Sequence, residues 1–383
     1  MKNLFLSLCL LLLVGLVAPA GAQFHKSESA RKAGEKLVKG DHAGALAVLD
    51  KAIAQRRDLH EVYQMRGSMR GGRGDIDGAI ADYTEALKIT PDNASLYERR
   101  AMFRMFRRDS AGALQDFDAA IAHGLKTEKV YVGRAGIKAD MGDTAGAIAD
   151  YQFALASNPN LAVAHNGLAF TLERRGEVDA AIAHLQDFLD RYEGKRDGKL
   201  PTAETLGTPT GTATSVKREG KEADGGQTYL ATGEFTMRIK GNTPEELERE
   251  TARYEQLMNL AGTYAALGRL YTKKNDLDRA LATYEKGLRI NRDDFSLRKL
   301  RSEIRIKRGD LPGAIEDLTI VVNSRMGSPN AHLERGLLLL LRGEEAEAEK
   351  EFALHRQKFP QAGEYMNGQI EDAKKLRARQ SQP

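Results

Sequence analysis

The hydrophobic pattern of this chain repeatedly pairs one small residue with one bulky residue four positions later. The small residue is an alanine on a 34-residue period that slips once and then resumes, at Ala45, Ala79, Ala113, Ala147, Ala181, Ala280, Ala314 and Ala348. The bulky residues are Leu49, Tyr83, Phe117, Tyr151, Leu185, Tyr284, Leu318 and Phe352. Residues four apart share one face of a helix, so the pattern predicts a repeat array of helices that a second helix can approach closely.

Helix-ending and helix-starting residues stand at fixed distances from each alanine. We call these eight alanines the reference alanines of repeats 1 to 8, and we count positions from them, negative toward the N-terminus and positive toward the C-terminus. A glycine at position −5 and an acid at position −4 recur, for example in Gly74-Asp75, Gly142-Asp143 and Gly309-Asp310. Glycine closes a helix in the left-handed conformation, and the acid caps the helix that follows. Prolines at position +12 end the second helix in Pro91, Pro159 and Pro360. Each repeat therefore reads as a helical hairpin.

These positions resemble the pattern of the tetratricopeptide-repeat family. Repeat 6 meets the family pattern most fully, with Tyr264, Leu267, Gly268, Tyr271, Ala280 and Tyr284. The resemblance covers about residues 26 to 195 and 261 to 362, with no tryptophan and with Arg298, His332 and His165 where an aromatic residue is usual. It implies an all-α fold, a right-handed superhelical solenoid of helical hairpins in which the first helix of each hairpin lines an inner groove.

The register of the repeats divides the chain into blocks. Five repeats occupy residues 23–195 and three occupy residues 261–362, while residues 363–383 form a C-terminal capping helix and tail. The segment 196–260 breaks the register and is rich in Gly, Thr and Lys, which is typical of a partly flexible insert. Alternating apolar residues in 235–239 predict a small β-hairpin there, and Thr243-Pro244 predicts a helix from about residue 244.

The first 22 residues have the pattern of a signal peptide. Lys2 precedes an apolar run that ends at Val17, and Ala20-Gly21-Ala22 suits a signal peptidase, so we expect cleavage after Ala22. The protein should then be exported, either periplasmic or secreted. The apolar run is too short to span a bilayer comfortably, and no stable membrane span is expected in the mature chain. Its single cysteine, Cys9, would be removed with the leader.

The charge of the chain does not favour a nucleic-acid partner. The net charge of the full sequence is +4, and loss of Lys2 leaves +3. The eight histidines lack metal-binding spacing, and the sequence contains neither a nucleophile elbow nor a Walker loop. We therefore expect no catalytic residue, no cofactor and no metal, and the sequence assigns no oligomeric state.

A set of arginines at position −13 shares its repeats with acids at position +3. The pairs are Arg66 and Asp82, Arg100 and Asp116, Arg134 and Asp150, Arg301 and Asp317, and Arg335 and Glu351. Where the arginine is replaced by Leu168 or Leu267, the acid is replaced by His184 or Thr283. This joint loss favours structural salt bridges between the two helices of a hairpin. The alternative is a ladder of arginines for an anionic ligand.

The inner groove implied by the resemblance is lined by positions −18, −15, −11 and −8, which lie on one side of the first helix. In repeats 3 to 5 these positions supply the candidate peptide-binding residues Met102, Met105, Val132, Asn166 and Phe170. Apolar pockets with one amide suit a protein or peptide partner, although some of these residues could instead pack between repeats. The sequence thus predicts an exported, non-catalytic scaffold or adaptor for protein-protein interaction. The alternative is an accessory factor of cell-envelope assembly that binds glycan or lipid.

Overall fold

Every repeat found in the sequence forms a pair of helices in the computed structural model, which describes residues 27–57, 59–194, 227–232, 235–240, 244–292, 294–323 and 330–380. The first five pairs are α1 (Glu28–Val38) and α2 (His42–Ala54), α3 (Leu59–Gly72) and α4 (Ile76–Ile89), α5 (Ala94–Phe106) and α6 (Ser110–Ala122), α7 (Glu128–Met141) and α8 (Thr144–Ser157), and α9 (Ala162–Arg174) and α10 (Val178–Gly194). The predicted fold class, an all-α array of helical hairpins, is confirmed.

The later repeats follow a β-hairpin and a long helix. Strands β1 (Gln227–Thr232) and β2 (Phe235–Lys240) pair antiparallel, with Leu230 opposite Met237. The remaining helices are α11 (Pro244–Lys273) and α12 (Leu277–Ile290), α13 (Phe295–Lys307) and α14 (Leu311–Asn323), α15 (Ala331–Arg342) and α16 (Glu345–Lys358), and α17 (Gly363–Gln380) after a 3₁₀ turn at Pro360–Ala362. Helix α11 begins at Pro244, where the sequence places a helix start, and continues into repeat 6.

The turns between paired helices use the residues expected from the sequence. Gly142 has φ of 93°, a left-handed conformation that glycine adopts without strain. The side chain of Asp143 then accepts a hydrogen bond of 2.9 Å from the backbone N–H of Gly146, capping α8. Arg108 and Asn275 take the left-handed place of the glycine in repeats 3 and 6, with φ of 64° and 60°. The turn is therefore retained where the glycine is not.

The small-and-bulky pattern forms the core of each hairpin. Seven of the eight reference alanines have no exposed surface, and Ala348 is 1 % exposed. The bulky residues at +4 are at most 3 % exposed. At Gly268, an added Cβ would lie only 2.2 Å from Cε1 of Tyr284 in the same hairpin. The absence of a side chain at this position is what lets the aromatic ring fill the space between the two helices.

The chain divides into two compact units. The first contains the described residues up to His184 and those from 227 to 256, and the second contains residues 185–194 and the described residues from 257 onward. In the first unit the second helix of each hairpin packs on the next first helix, and adjoining first helices also touch, as α7 does with α9. In the second unit Met366, Ile370 and Ala373 of α17 are buried in a cluster with Leu333 of α15.

The N-terminal segment lies outside the described residues, and so does its expected cleavage site after Ala22. Among the helices that the structure describes, none combines the length and the apolar composition that crossing a bilayer requires.

Candidate functional site

Each of the five arginines at −13 lies against the acid at +3 of its own hairpin. The shortest distances from a guanidinium nitrogen to a carboxylate oxygen are 2.6 Å for Arg66–Asp82, 2.7 Å for Arg100–Asp116, 2.7 Å for Arg134–Asp150, 2.5 Å for Arg301–Asp317 and 2.6 Å for Arg335–Glu351. In the first four pairs the arginine Nε also donates to the second carboxylate oxygen, at 2.8–3.0 Å. These contacts are bidentate, and all five acids are buried.

A second cation reaches the same acid in four of these hairpins. It stands at position −9, one turn after the arginine, and lies 2.9–3.1 Å from the carboxylate. These residues are Arg70, Arg104, Lys138 and Arg305. Sequence reasoning missed them, although the signal was present as a basic residue at −9 in each of the four repeats. Two cations on one buried carboxylate compensate the loss of its hydration more fully than one would.

The arginines at −13, which we call the arginine ladder, also connect neighbouring hairpins in the first unit. Nη1 of Arg66 lies 2.7 Å from Oδ1 of Asp50, and Nη1 of Arg134 lies 2.7 Å from Oδ1 of Asp118. Both acids stand at +5 of the preceding repeat. Arg100 makes the equivalent contact with the hydroxyl of Thr84 at 3.1 Å. One guanidinium therefore links both helices of its own hairpin to the second helix of the hairpin before it.

An aromatic ring also lies beside the guanidinium in three of these hairpins. The guanidinium carbon of Arg134 lies 5.3 Å from the ring centroid of Tyr131, and Arg66 and Arg100 have the same relation to Tyr63 and Tyr97. Hydrogen bonding to Asp150 raises the pKa of Arg134 above its usual range. Since acids and rings already engage these arginines, salt bridging accounts for the ladder, and no anionic ligand is needed to explain it.

In repeats 5 and 6, which lack the arginine at −13, the residue at +3 has other partners. In repeat 5, Nδ1 of His165 lies 2.9 Å from Nε2 of His184, and Nε2 of His165 donates to the carbonyl oxygen of Pro159 at 3.0 Å. In repeat 6, the hydroxyl of Thr283 donates to the carbonyl oxygen of Arg279 at 2.6 Å. In the two repeats whose arginine is a leucine, the residue at +3 therefore makes hydrogen bonds instead of an ion pair, His184 across the hairpin and Thr283 within its own helix.

The candidate groove residues fall into two groups by exposure. Met105 is 1 % exposed and belongs to a buried cluster with Phe117 and Ile137, so its assignment to a binding surface is corrected to the core. Met102 and Val132 keep only 7 % and 6 % of their surface exposed. Asn166 and Phe170 are both partly exposed on α9. Of the five candidates, Asn166 and Phe170 on α9 therefore keep the largest exposed fractions.

Phe170 lies against Arg174, a residue of the same helix that also contacts α7. The guanidinium carbon of Arg174 is 5.9 Å from the ring centroid of Phe170. The same arginine donates to the carbonyl oxygen of Ala139 and lies 3.9 Å from a carboxylate oxygen of Asp140, both in α7 or at its end. One face of the Phe170 ring is thereby held against a cation that is itself anchored to the neighbouring hairpin.

Glu98 stands at position −15 of repeat 3, one of the positions assigned to the inner groove, and it is partly buried. Burial raises the pKa of its carboxyl, and the nearby positive charges of Arg99 and Lys129 offset this effect in part. In the part of the chain that the structure describes, no three His, Cys, Asp or Glu side chains are arranged to hold a metal ion.

Comparison with known proteins identifies the repeat. A family model described as TPR repeat matches residues 72–103, and models described as Tetratricopeptide repeat match residues 261–294 and residues 134–195 and 303–363. No curated protein matches the chain.

The chain is also similar, at low sequence identity, to several solved structures, three of which are described below. A tetratricopeptide repeat protein from Parabacteroides merdae is 14 % identical, with 82 % of this chain and 98 % of that chain covered and a TM-score of 0.48. PilF of Pseudomonas aeruginosa is 14 % identical, with 73 % and 97 % covered and a TM-score of 0.46. YrrB, a TPR protein with an unusual peptide-binding site, is 14 % identical, with 65 % and 95 % covered and a TM-score of 0.38. From its repeats, its hairpins and the family models that match it, this chain is a tetratricopeptide-repeat protein.

Proposed function

We propose that this protein is an exported, non-catalytic scaffold that binds a segment of a partner protein along the first helices of repeats 3 to 5. The tetratricopeptide fold supports a role in protein-protein interaction. The observation that carries the choice of surface is the pair Asn166 and Phe170, both partly exposed at the inner positions of α9. An amide can bind the backbone of an extended or helical peptide, and an aromatic ring offers it an apolar contact.

Two further observations support this surface over the arginine ladder. The guanidinium groups of Arg66, Arg100 and Arg134 are already bound by side chains of two helices each. In contrast, Phe170 projects from a helix that is tied to α7 through Arg174, so its ring is presented on a fixed frame. A rigid aromatic residue loses little side-chain entropy on binding and is a common energetic centre of an interface.

The decisive experiment is crosslinking of the protein in its native cells, followed by mass spectrometry of the captured material. The proposal expects peptides from one or a few partner proteins, crosslinked to α5, α7 or α9, and their loss in a Phe170→Ala variant that retains its melting temperature. Capture of glycan or lipid instead would favour the alternative role in cell-envelope assembly. Capture that Phe170→Ala leaves unchanged would exclude this surface.

A further inference from the structure

The hairpin of repeat 8 contains a series of linked polar side chains that the proposed peptide-binding surface does not include. His332, at position −16 of repeat 8, has Nδ1 at 2.7 Å from Oε2 of Glu351 and Nε2 at 2.9 Å from Nζ of Lys358. A lysine ammonium only donates, so Nε2 of His332 accepts from Lys358. The imidazole is then neutral, with its proton on Nδ1 and donated to Glu351.

In this series His332 and Glu351 are buried, while Lys358 is exposed to solvent. Nη1 of Arg335 lies 2.6 Å from Oε1 of Glu351, so both carboxylate oxygens are engaged. His332 and Glu351 are each 7 % exposed, whereas Lys358 is exposed to solvent. The imidazole is therefore held in one orientation, between a carboxylate inside the hairpin and an amine at its surface.

Repeat 5 also has a histidine at position −16, His165, but its partner at +3 is the imidazole of His184 and not an acid. Position −16 is a tyrosine in repeats 2, 3, 4 and 6, namely Tyr63, Tyr97, Tyr131 and Tyr264. Position +10, where Lys358 stands, is Gln55, Ile89, His123, Ser157, Arg191 and Ile290 in repeats 1 to 6. In repeat 3 the two columns meet as stacked rings, with the centroids of Tyr97 and His123 5.5 Å apart. In repeat 8 they meet as a base and an amine.

We propose that Lys358 is an acyl-acceptor site, modified by activated carboxylic acids such as acyl phosphates or thioesters. A carboxylate that orients an imidazole, which in turn contacts a nucleophile, is the arrangement that activates side-chain nucleophiles in general. Here Nζ of Lys358 passes one proton to Nε2 of His332, and Glu351 stabilises the resulting imidazolium. The neutral amine then attacks the acyl carbonyl.

Acylation of Lys358 exchanges one bond of the acyl carbon for another. A bond forms between Nζ and the acyl carbon, the bond from that carbon to the phosphate or sulfur breaks, and the leaving group departs with the electron pair. The new amide nitrogen loses its second proton to solvent, and His332 returns its proton to solvent or to the leaving group. The product amide keeps one N–H that can still donate to Nε2, so the modified side chain fits the same place without its charge.

Acetyl phosphate is the probe that tests this proposal. The purified protein is incubated with a limiting amount at pH 7.5, and acetylation of each lysine is followed by peptide mass spectrometry. Lys358 should be acetylated at least about tenfold faster than Lys350, since a positioned base commonly gives a hundredfold or more. Lys350 is a matched control, because it lies on the same helix and its side chain is 75 % exposed.

His332→Tyr is the matched variant, because tyrosine occupies this position in four other repeats. It should reduce acetylation of Lys358 to the rate of Lys350 and leave the other lysines unchanged. A second readout needs no variant: the rate at Lys358 should rise less steeply with pH between 7 and 9 than the rate at Lys350, which lacks a contacting imidazole. Equal rates and equal pH profiles at the two lysines, or fast acetylation of Lys358 in a folded His332→Tyr protein, would overturn the proposal.

Discussion

The guanidinium of Arg134 donates two hydrogen bonds to the carboxylate of Asp150, from Nε at 2.8 Å and from Nη2 at 2.7 Å. Both side chains are largely withdrawn from solvent, with 16 % and 6 % of their surface exposed. Lys138 adds a third contact to the same acid at 2.9 Å. An ion pair of this kind contributes little compared with an apolar pair of equal shape, but it is costly to break on one side only.

Arg134→Leu should therefore lower the free energy of unfolding by about 2 kcal/mol, because it leaves Asp150 buried with one cation fewer. Adding Asp150→Thr should restore about 1 kcal/mol of this loss. The double variant reproduces the leucine and threonine that repeat 6 has at these two positions, Leu267 and Thr283. Denaturant unfolding of the two single variants and the double variant gives the coupling energy.

Arg191→Leu is the control for this cycle. Arg191 pairs with Asp187 one turn away on the same helix, and their side chains are 51 % and 65 % exposed. Loss of such a surface pair should change stability by less than about 0.5 kcal/mol. If Arg134→Leu and Asp150→Thr proved strictly additive, the two side chains would not interact in solution, and the ligand-ladder interpretation would regain support.

Gly167→Ala should destabilise the protein by about 2 kcal/mol, which thermal melting can measure. An added Cβ at Gly167 would lie 2.3 Å from Cζ of Tyr151, a buried ring of the preceding hairpin, so the two hairpins would have to move apart. Gly72→Ala is the matched control, since Gly72 is also helical but has no atom within 4 Å of the added Cβ. That change should be neutral or stabilising by up to about 1 kcal/mol. Equal effects of the two substitutions would argue against close packing at Gly167.

Glu98→Gln should raise the melting temperature at pH 7. Burial raises the pKa of Glu98, which means that the folded state disfavours the ionised carboxyl and that this group lowers stability at neutral pH. The penalty is lost as the pH falls through the raised pKa, and it is absent below the unfolded pKa of about 4.3. The advantage of Glu98→Gln should therefore disappear at about pH 3.5. Glu347→Gln, at a side chain that is 56 % exposed, is the control at each pH.

Phe170→Ala should weaken binding of the captured partner by about 2 kcal/mol, or roughly thirtyfold, if the proposed surface is used. Glu173→Ala, one turn further along α9, should weaken it much less because a charge at the rim of an interface contributes little. Quantitative pull-down measures both effects, and melting curves separate lost binding from lost packing. A Phe170→Ala protein that melts earlier but captures its partner normally would assign the ring to the core.

Sequencing of the mature N-terminus should find Gln23 as the first residue, as expected from cleavage after Ala22. The protein should be isolated from its native host, where the export machinery reads its own leader. Recovery of a chain that still begins at Met1 would count against export and would leave Cys9 in the protein.

The sequence was sufficient for features that depend on one hairpin at a time. The alanine at its centre, the bulky residue at +4 and the acid cap at −4 all act within about 40 residues of chain, so a fixed spacing reports them directly. Arg134 and Asp150 belong to this class, because both lie on the same pair of helices. Even the replacement of the pair in repeat 5 was visible as a change at Leu168 and His184.

Features that depend on stacking were beyond the spacing rule. Met105 occupies an inner position on its own helix, but it is buried in a cluster that includes Ile137 of the next hairpin, and the spacing of residues within one hairpin does not report that burial. The contact of Arg134 with Asp118 likewise joins two repeats. Position −16 is a histidine only in repeats 5 and 8, and position +10 is a lysine only in repeat 8, so no recurring pattern marked the contact of His332 with Lys358.

The bridges between hairpins determine which piece of this array could be copied in tandem. Repeat 3 carries both halves of a bridge, an arginine at −13 in Arg100 and an acid at +5 in Asp118. In a chain made of identical copies of repeat 3, each Arg100 would find the Asp118 of the copy before it, and the ladder would extend with every added unit. A copy of repeat 4 would instead offer Gln152 at +5, so every junction would exchange a charged acceptor for a neutral one. Repeat 3 is therefore the self-complementary building block from which a longer solenoid of this sequence could be grown.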